Sequence, residues 1–534
     1  MKSSNTVTKK QIRQVCKQKY VSLGDLGKPL RTVLFVIISV CLASQTDAQS
    51  IDDILRVSYQ DYEGSARFAS MGGAFGALGG DVSSMGINPA GVAVFRKGYF
   101  SITPSVLNVH NNATFADVAT NSSRTRFGVS SIGMVSNLWR QKNINWNVGV
   151  TYQKKANFNR RTVAESPFGR ESIIDYFSDK ANSDIGFFDP EYLNASNAFN
   201  IYSPFDWDVP MAYGTYLINP DEGGYAGNLA PEDRMQQKAD VLLTGSSSEA
   251  AFSFGMSLAD KFYAGMLIGV GMIDYEKDVI YSEFAHPNNS SDLNSLIYNT
   301  NLKIIGYGFN TKIGFIYRPI PSIRIGAAIH SPDYIFASRD NSEDGYTAMM
   351  DNRYSASMTA YYNSADNGTD VVEDGPGEEY YLFFTDMQTP LKTVASVAYT
   401  FGKFGLISAD CEYVDYSKIK IGGNEPKSEF NADIKQYFKS AVNLRLGGEI
   451  WLGNVALRAG YIYNQSPDKD YDLSRKSYSA GIGYRLKNIS IDFAYRQTKT
   501  TDYYTPYSNA RRITENLNNR QFMLSFGLTL DTNR

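Results

Sequence analysis

The chain has 534 residues, of which 43% are hydrophobic and 13% aromatic, and its formal charge at pH 7 is -3. Its mean hydropathy of -0.31 is too low for a polytopic helical membrane protein, whereas its apolar content is too high for a disordered chain. A soluble chain of this length is expected to divide into several domains. A closed barrel would instead hold the whole chain together as a single domain.

Residues 1–48 are expected to be a basic extension followed by a secretory signal peptide. Val33–Ala43 form the apolar centre, and Thr46–Ala48 form a small-residue cleavage site. The apolar stretch is too short to span a bilayer as a helix. The basic stretch Met1–Leu30 is longer than a usual signal-peptide start, which favours a true start codon further along the chain. Lipidation at Cys41 is disfavoured because a bulky valine precedes it.

Removal of this segment changes the charge and the cysteine content. It takes away eight basic and two acidic residues, so the formal charge falls from -3 to -9. Nucleic-acid partners are therefore not expected, because phosphates require a basic surface. Cys411 alone remains after cleavage, which excludes an internal disulfide.

The mature chain alternates apolar side chains with small or polar ones. In one segment Trp146, Val148 and Val150 are apolar, while the intervening positions are small or polar. Such segments are roughly ten residues long and match the strands of a membrane barrel, which are apolar outside and polar inside. A soluble β-sandwich also alternates. Two features favour the membrane barrel: aromatic residues repeatedly end the apolar runs, and connections alternate between short and long.

The pattern predicts an all-β protein, a 14-stranded antiparallel transmembrane β-barrel, in the outer membrane of a Gram-negative bacterium. Residues 99–534 would form the barrel and its long extracellular loops, one of which alternates over Tyr354–Tyr362 and could extend a hairpin above the membrane. The predicted strands are Tyr99–Val109, Arg126–Ser136, Asn145–Phe158, Ala250–Ala259, Phe262–Tyr275, Lys303–Tyr317, Ile323–Ser331, Leu391–Phe401, Phe404–Tyr416, Phe438–Trp451, Val455–Tyr463, Lys476–Leu486, Ile489–Arg496 and Gln521–Leu530.

Residues 49–98 do not alternate and are predicted to form an N-terminal hatch that plugs the lumen. A barrel of this strand number has a backbone radius of roughly 14 Å, too wide for side chains alone to fill. The hatch is rich in Gly and Ala, which permit close approach of backbone to backbone. It lacks the Gly-Lys-Ser/Thr ending of a phosphate loop, so nucleotide binding is not expected. Inward glycines would leave room for a plug or a ligand: Gly265, Gly269, Gly271, Gly306, Gly308 and Gly314.

The hatch resembles that of the FadL-like family of outer-membrane transporters for hydrophobic molecules. The resemblance rests on the small-residue segment that ends in Asn88, Pro89, Ala90 and Gly91, directly before the first strand. It implies passive uptake of long-chain fatty acids or similar apolar solutes, with Asn88 to Gly91 as hatch or gating residues. It further implies a sideways exit into the membrane where the third strand is kinked.

The third predicted strand loses its alternation at Lys154, Lys155, Ala156 and Asn157, before Phe158. These five residues are the candidate lateral gate. An equally open alternative is that the two lysines reach the headgroup layer.

His330 and Phe75 are the candidate lumen or ligand contacts. His330 has the parity that faces the lumen, and a haem-type ligand is an alternative there. The acidic tract Asp366–Glu379 lacks the spacing of a calcium loop and is interpreted as a solvated loop. No metal site, cofactor or catalytic residue is predicted, since the hydrolase motifs Gly-x-Ser-x-Gly and His-Glu-x-x-His do not occur.

The sequence thus favours a transporter that acts as a monomer among membrane lipids on a hydrophobic small molecule. The alternative is a docking or shuttle protein for secreted surface proteins, suggested by long polar loops such as Asn159–Ser248.

Overall fold

The computed structural model describes most of the chain from Ile51 onward, and the predicted extension and signal peptide lie outside it. The described residues are 51–141, 143–184, 186–195, 197–202, 206–336, 350–363, 369–377, 380–381, 384–423 and 427–530. Within these ranges no helix has the length and apolar character needed to cross a membrane.

Fourteen antiparallel strands form one closed barrel. They are β1 Gly98–Phe115, β2 Val118–Gln141, β3 Ile144–Asn157, β4 Met235–Leu258, β5 Phe262–Ala285, β6 Leu293–Ile320, β7 Ile323–His330, β8 Lys392–Thr400, β9 Gly405–Asp415, β10 Ser440–Leu452, β11 Val455–Asn464, β12 Arg475–Leu486, β13 Ile489–Tyr504 and β14 Ile513–Leu530. Each strand pairs with the next one in this order. β14 also pairs with β1, beginning with Leu530 opposite Gly98, and this pairing closes the ring. The predicted barrel and its strand number are confirmed.

The strands alternate between an apolar outer face and a polar inner face. Val150 on β3, Phe254 on β4 and Phe315 on β6 are exposed, whereas Asn147 and Lys312 are buried on the inside. An outward apolar band of this kind matches the hydrocarbon layer of a bilayer. On β5 the band ends before Asp274, the first exposed charged residue of that strand.

Several strands are longer than predicted. The fourth was predicted to begin at Ala250, yet β4 begins at Met235 and stays paired with β5 throughout. The sequence pattern marks only the apolar band. Above it the same strands continue with an outward face that mixes polar and apolar residues, as Asp274, Asp278 and Ile280 do on β5, and such a mixture carries no periodic signal. The hairpin above the membrane is confirmed, since Met350–Asn363 pairs with both β6 and Thr369–Asp374.

The N-terminal segment and the long connections hold the helices. The hatch contains α1 Ile51–Ser58, α2 Ala66–Ser70 and the 3-10 turns Val82–Gly86 and Pro89–Val94. The connection from β3 to β4 forms a lid with the strand Arg160–Gly169, α3 Ile173–Ser183, α4 Pro190–Leu193, α5 Ala198–Ile201, α6 Asp208–Gly214 and the hairpin Ile218–Asp221 with Gly224–Gly227. Later connections contain the short strands Tyr334–Phe336, Tyr380–Tyr381, Phe384–Gln388 and Lys420–Gly423, the 3-10 turn Tyr416–Lys418 and α7 Lys427–Tyr437.

Candidate functional site

The hatch packs a small core against the barrel wall, and Phe75 belongs to it. The hydroxyl of Ser65 caps α2 by accepting a hydrogen bond from the backbone N–H of Phe68. The rings of Phe68 and Phe75 lie 5.5 Å apart, and the guanidinium of Arg67 lies 5.4 Å from the centre of the Phe75 ring. Phe75 is fully buried. Its contacts are those of a hatch core residue, and nothing in them presents the ring to a ligand.

Asn88 fastens the hatch to the barrel wall. Its side-chain amide donates to the carbonyl of Gly76 at 2.6 Å and to that of Phe315 on β6 at 3.1 Å. Its oxygen accepts from the backbone N–H of Ala90 at 3.1 Å and so caps the turn that Pro89 begins. One side chain therefore joins two parts of the hatch and a barrel strand, which is the arrangement of an anchor.

Glycines in β5 and β6 form the surface on which this turn rests. Gly265 and Gly314 are cross-strand partners. A Cβ atom at Gly265 would collide with the carbonyl of Pro89, and one at Gly314 would collide with the side-chain oxygen of Asn88. These two inward glycines make room for the plug. The sequence predicted that the inward glycines would make room for either a plug or a ligand.

Polar groups of the barrel also bind hatch backbone. The backbone N–H of Gly76 donates to the carboxylate of Asp410 at 2.9 Å. Nε2 of His330 lies 2.7 Å from the carbonyl oxygen of Ile87 and must donate to it. His330 is buried and faces the lumen as its parity predicted. The ring nitrogen that this bond uses is not available to a haem iron.

The pairing of β2 with β3 stops partway up the barrel wall. The last pair upward is Ser131 with Gln153. β2 remains paired with β1 up to its first residue, Val118, opposite Phe115. We call the unpaired boundary between β2 and β3 above Ser131 and Gln153 the seam. On β3 it begins at Lys154, where the sequence loses its alternation.

The candidate gate residues lie along the β3 side of the seam. The register of β3 with β4 shifts between Lys154 and Ala156, so Lys155 is the extra residue of a bulge. Nζ of Lys155 lies 2.5 Å from Oδ2 of Asp333 and 3.8 Å from Oε2 of Glu249. Lys155 is buried. The interpretation that this lysine reaches the headgroup layer is therefore wrong, because the inward bulge turns it to carboxylates in the lumen.

Above the bulge β3 enters an apolar core. Ala156 and Phe158 are buried there, and the ring of Phe158 meets that of Tyr275 edge to face at 5.3 Å. Helix α1 and the lid helices contribute to the same core, with Leu55 from α1 and Trp207 from the lid. The mouth of the barrel is thus closed by packed side chains.

A buried charge holds α1 in this position. Asp53 accepts hydrogen bonds from Lys277 at 3.0 Å and from the hydroxyl of Tyr275 at 2.5 Å, and it pairs with Arg56 at 3.2 Å. Burial alone would raise the pKa of Asp53, but Lys277 and Arg56 together hold it below its usual value. This contact was not predicted from the sequence. Its signal is the Asp and Arg three positions apart in Ile51–Ser58, which is apolar on one face.

The acidic tract is in part a strand. Thr369–Asp374 pairs with the hairpin strand Met350–Asn363, and the remainder of the tract lies partly outside the described residues. In the described part of the chain, no three His, Cys, Asp or Glu side chains are grouped as a metal ion would require.

Solved structures share this architecture. A FadL homologue of Pseudomonas aeruginosa aligns with a TM-score of 0.50 at 11% identity, covering 89% of this chain and 100% of that one. The toluene transporter TodX of Pseudomonas putida gives a TM-score of 0.48 at 11% identity, with coverages of 89% and 100%. The toluene transporter TbuX of Ralstonia pickettii gives 0.44 at 13% identity, with coverages of 88% and 98%.

At the level of sequence, neither a scan against protein-family models nor a search of curated proteins gives a match. The closed ring of fourteen strands, the N-terminal plug and the superposition on the Pseudomonas aeruginosa protein agree with one another. The chain has the FadL-like fold.

Proposed function

We propose that the protein is an outer-membrane channel of a Gram-negative bacterium that takes up apolar small molecules without an energy source. The observation that supports this most is the combination of a plugged lumen with a seam in the wall. A solute that enters from outside meets the hatch on the direct path. The seam between β2 and β3 offers a sideways path.

The seam lies at the upper edge of the apolar band. Phe127, the outward residue of β2 beside the seam, is 82% exposed. On β3 the outward residues below the seam are apolar or aromatic, up to Tyr152, and the next one outward is Lys154. A molecule that passes between the strands here reaches the outer leaflet, where an apolar solute is stable.

The solute class that we propose is long-chain fatty acids or similar apolar compounds, as the resemblance implies. We further propose that the protein works as a monomer surrounded by lipid, with neither a cofactor nor a catalytic role. Binding measurements with a fatty acid and with toluene distinguish fatty acids from aromatic hydrocarbons as the solute.

The test is uptake by the purified chain in lipid vesicles. Fluorescent fatty acid and toluene are offered outside, and lipids that copurify in mild detergent are identified by mass spectrometry. Phe127→Asp should slow uptake because it places a charge at the apolar edge of the seam. Phe309→Asp is the matched control, because Phe309 is an exposed outward residue of β6 that lies level with Tyr152 along the strand pairing and three strands away from β3. Absence of any bound apolar compound, with vesicle uptake equal to that of empty vesicles, would refute the proposal.

A second candidate function, docking of secreted surface proteins, is favoured by the lid surface. Four large lid side chains are exposed by 43% to 59%: Phe187, Tyr192, Ile201 and Tyr216. Cross-linking in intact cells tests it. The test variant has all four residues changed to Ser. If cells that carry this variant secrete and retain their surface proteins normally, docking is excluded.

A further inference from the structure

The hatch segment Gln60–Glu63 crosses the lumen beside the seam. Two of its backbone N–H groups donate to carbonyls of β3 at the bulge. The N–H of Asp61 donates to the carbonyl of Lys155 at 2.5 Å, and the N–H of Glu63 donates to the carbonyl of Lys154 at 3.1 Å. Donors two residues apart are the spacing of an extended chain. The two acceptors directly follow Gln153, the last residue of β3 that pairs with β2.

Glu63 joins the two sides of the seam. Its Oε2 accepts a hydrogen bond from the hydroxyl of Ser130 on β2 at 2.6 Å, and its Oε1 accepts one from the amide of Asn157 on β3 at 3.4 Å. Ser130 lies directly next to Ser131, where the β2–β3 pairing ends. Glu63 is only 2% exposed. A carboxylate of the hatch thus takes the place of the missing strand pairing.

The other side chains of the segment are held from the rest of the barrel. Asp61 pairs with Arg496 on β13 at 3.2 Å, and the hydroxyl of Tyr62 accepts from Lys312 on β6 at 3.1 Å. Gln60 donates to Asp333 at 2.9 Å and accepts from Lys392 on β8 at 2.7 Å. Glu63 is therefore the member of this segment that faces the seam.

We propose that Gln60–Glu63 is the inner leaf of the lateral gate and that Glu63 is its latch. Solute passes through the seam when Glu63 leaves Ser130 and Asn157 and the segment unpairs from β3. This rests on the proposed function and adds to it a named moving part. Glu63 acts by positioning the two strand edges.

The first test weakens the latch. Glu63→Ala in the full chain should speed hydrogen exchange of the Asp61 N–H, which donates to β3, about tenfold, because two charge-assisted hydrogen bonds that hold the segment are lost. Glu412→Ala is the matched control: Glu412 is also buried and accepts from the amide of Asn443 and the guanidinium of Arg445, but it lies on β9, six strands away from β3. Exchange of the Asp61 N–H that is unchanged in Glu63→Ala would overturn the proposal.

The second test locks the latch. In a Cys411→Ser background, Glu63→Cys and Ser130→Cys are joined by a short bis-methanethiosulfonate linker and reconstituted in vesicles. The proposal expects at least about tenfold slower uptake of fluorescent fatty acid, restored by reducing agent, a barrier change of about 1.4 kcal/mol. Locked protein that transports as fast as reduced protein would overturn the latch while the transport function stands. Reduced protein that transports no apolar solute overturns the function and the latch together.

Discussion

Arg67 on the hatch helix α2 and Glu449 on β10 form a two-point ion pair. Nη2 of Arg67 lies 2.9 Å from Oε1 of Glu449, and its Nε lies 3.0 Å from Oε2. The same carboxylate accepts a hydrogen bond from Nε of Arg458 at 2.6 Å, and Arg458 also pairs with Asp492 at 2.6 Å. The hatch is thus attached to a charge pair that belongs to the barrel itself, in which Glu449 keeps Arg458 as a partner without Arg67.

Arg67→Met should loosen the hatch while the barrel stays folded. The loss of two hydrogen bonds to a carboxylate is expected to cost about 1.5–3 kcal/mol of hatch attachment. Single-channel recording in planar bilayers should then show larger or more frequent open events. Arg511→Met removes an exposed ion pair with Glu171 and should change neither stability nor conductance. Equal conductance of Arg67→Met and the unchanged chain would contradict the anchoring role.

Gly314→Ala should displace the turn that carries Asn88. The new methyl group would collide with the side-chain oxygen of Asn88, so the anchor bonds to Gly76 and Phe315 would be lost. We expect a lower thermal unfolding midpoint than that of the unchanged chain. We also expect a protease to cleave the peptide bonds of the hatch faster. Gly448→Ala is the control, because its nearest neighbour atom lies at 3.8 Å. A midpoint for Gly314→Ala that equals that of Gly448→Ala would show that the hatch adapts.

The barrel was predictable from sequence because its signal is periodic and local. Within the apolar band every second residue must suit lipid, so the strand that contains Trp146 or Phe254 reveals itself without knowledge of its partner. The break in alternation at Lys154 likewise marked the start of the seam. Strand ends such as Met235 were missed, because above the membrane the outward face no longer selects apolar residues.

The contacts that close the barrel could not be predicted in this way. Glu63 meets Ser130 and Asn157 from positions far apart in the chain, and a single Glu in a Gly-rich segment has no local pattern that names its partners. Phe75 illustrates the converse: an aromatic residue in a plug could face a ligand or the hatch core, and only packing decides. His330 was placed correctly in the lumen, but its bond to Ile87 depends on the path of the hatch.

Asp53→Asn should release α1 from the mouth of the barrel. The neutral amide cannot balance Lys277 and Arg56, which together hold the pKa of Asp53 below its usual value. Since the folded pKa is depressed, the stabilisation by Asp53 is present above the unfolded pKa of 3.8 and is lost as pH falls through the folded value. Hydrogen exchange of Ile51–Ser58 at neutral pH should therefore be faster in the variant. Unchanged protection would show that apolar packing alone holds α1.

Glu283 gives the extracellular lid a dependence on pH near neutrality. This carboxylate lies in the part of β5 above the apolar band, and it accepts hydrogen bonds from the backbone N–H of Ile173 at 2.8 Å, from the hydroxyl of Tyr281 at 2.7 Å and from the hydroxyl of Ser172. Ser172 caps α3. Burial raises the pKa of Glu283 from 4.5 to about 7 despite these bonds.

Because the folded pKa is raised, its contribution to stability is fully present below the unfolded value and is lost as pH rises through about 7. The lid should therefore open more readily at pH 8.5 than at pH 5.5, by about 2 kcal/mol. Hydrogen exchange of Ile173–Ser183, corrected for the intrinsic effect of pH, measures this. Glu283→Gln should remove the difference, whereas Glu165→Gln, at a half-exposed pair with Lys238, should keep it. A Glu283→Gln variant with the same pH dependence as the unchanged chain would assign the effect to another group.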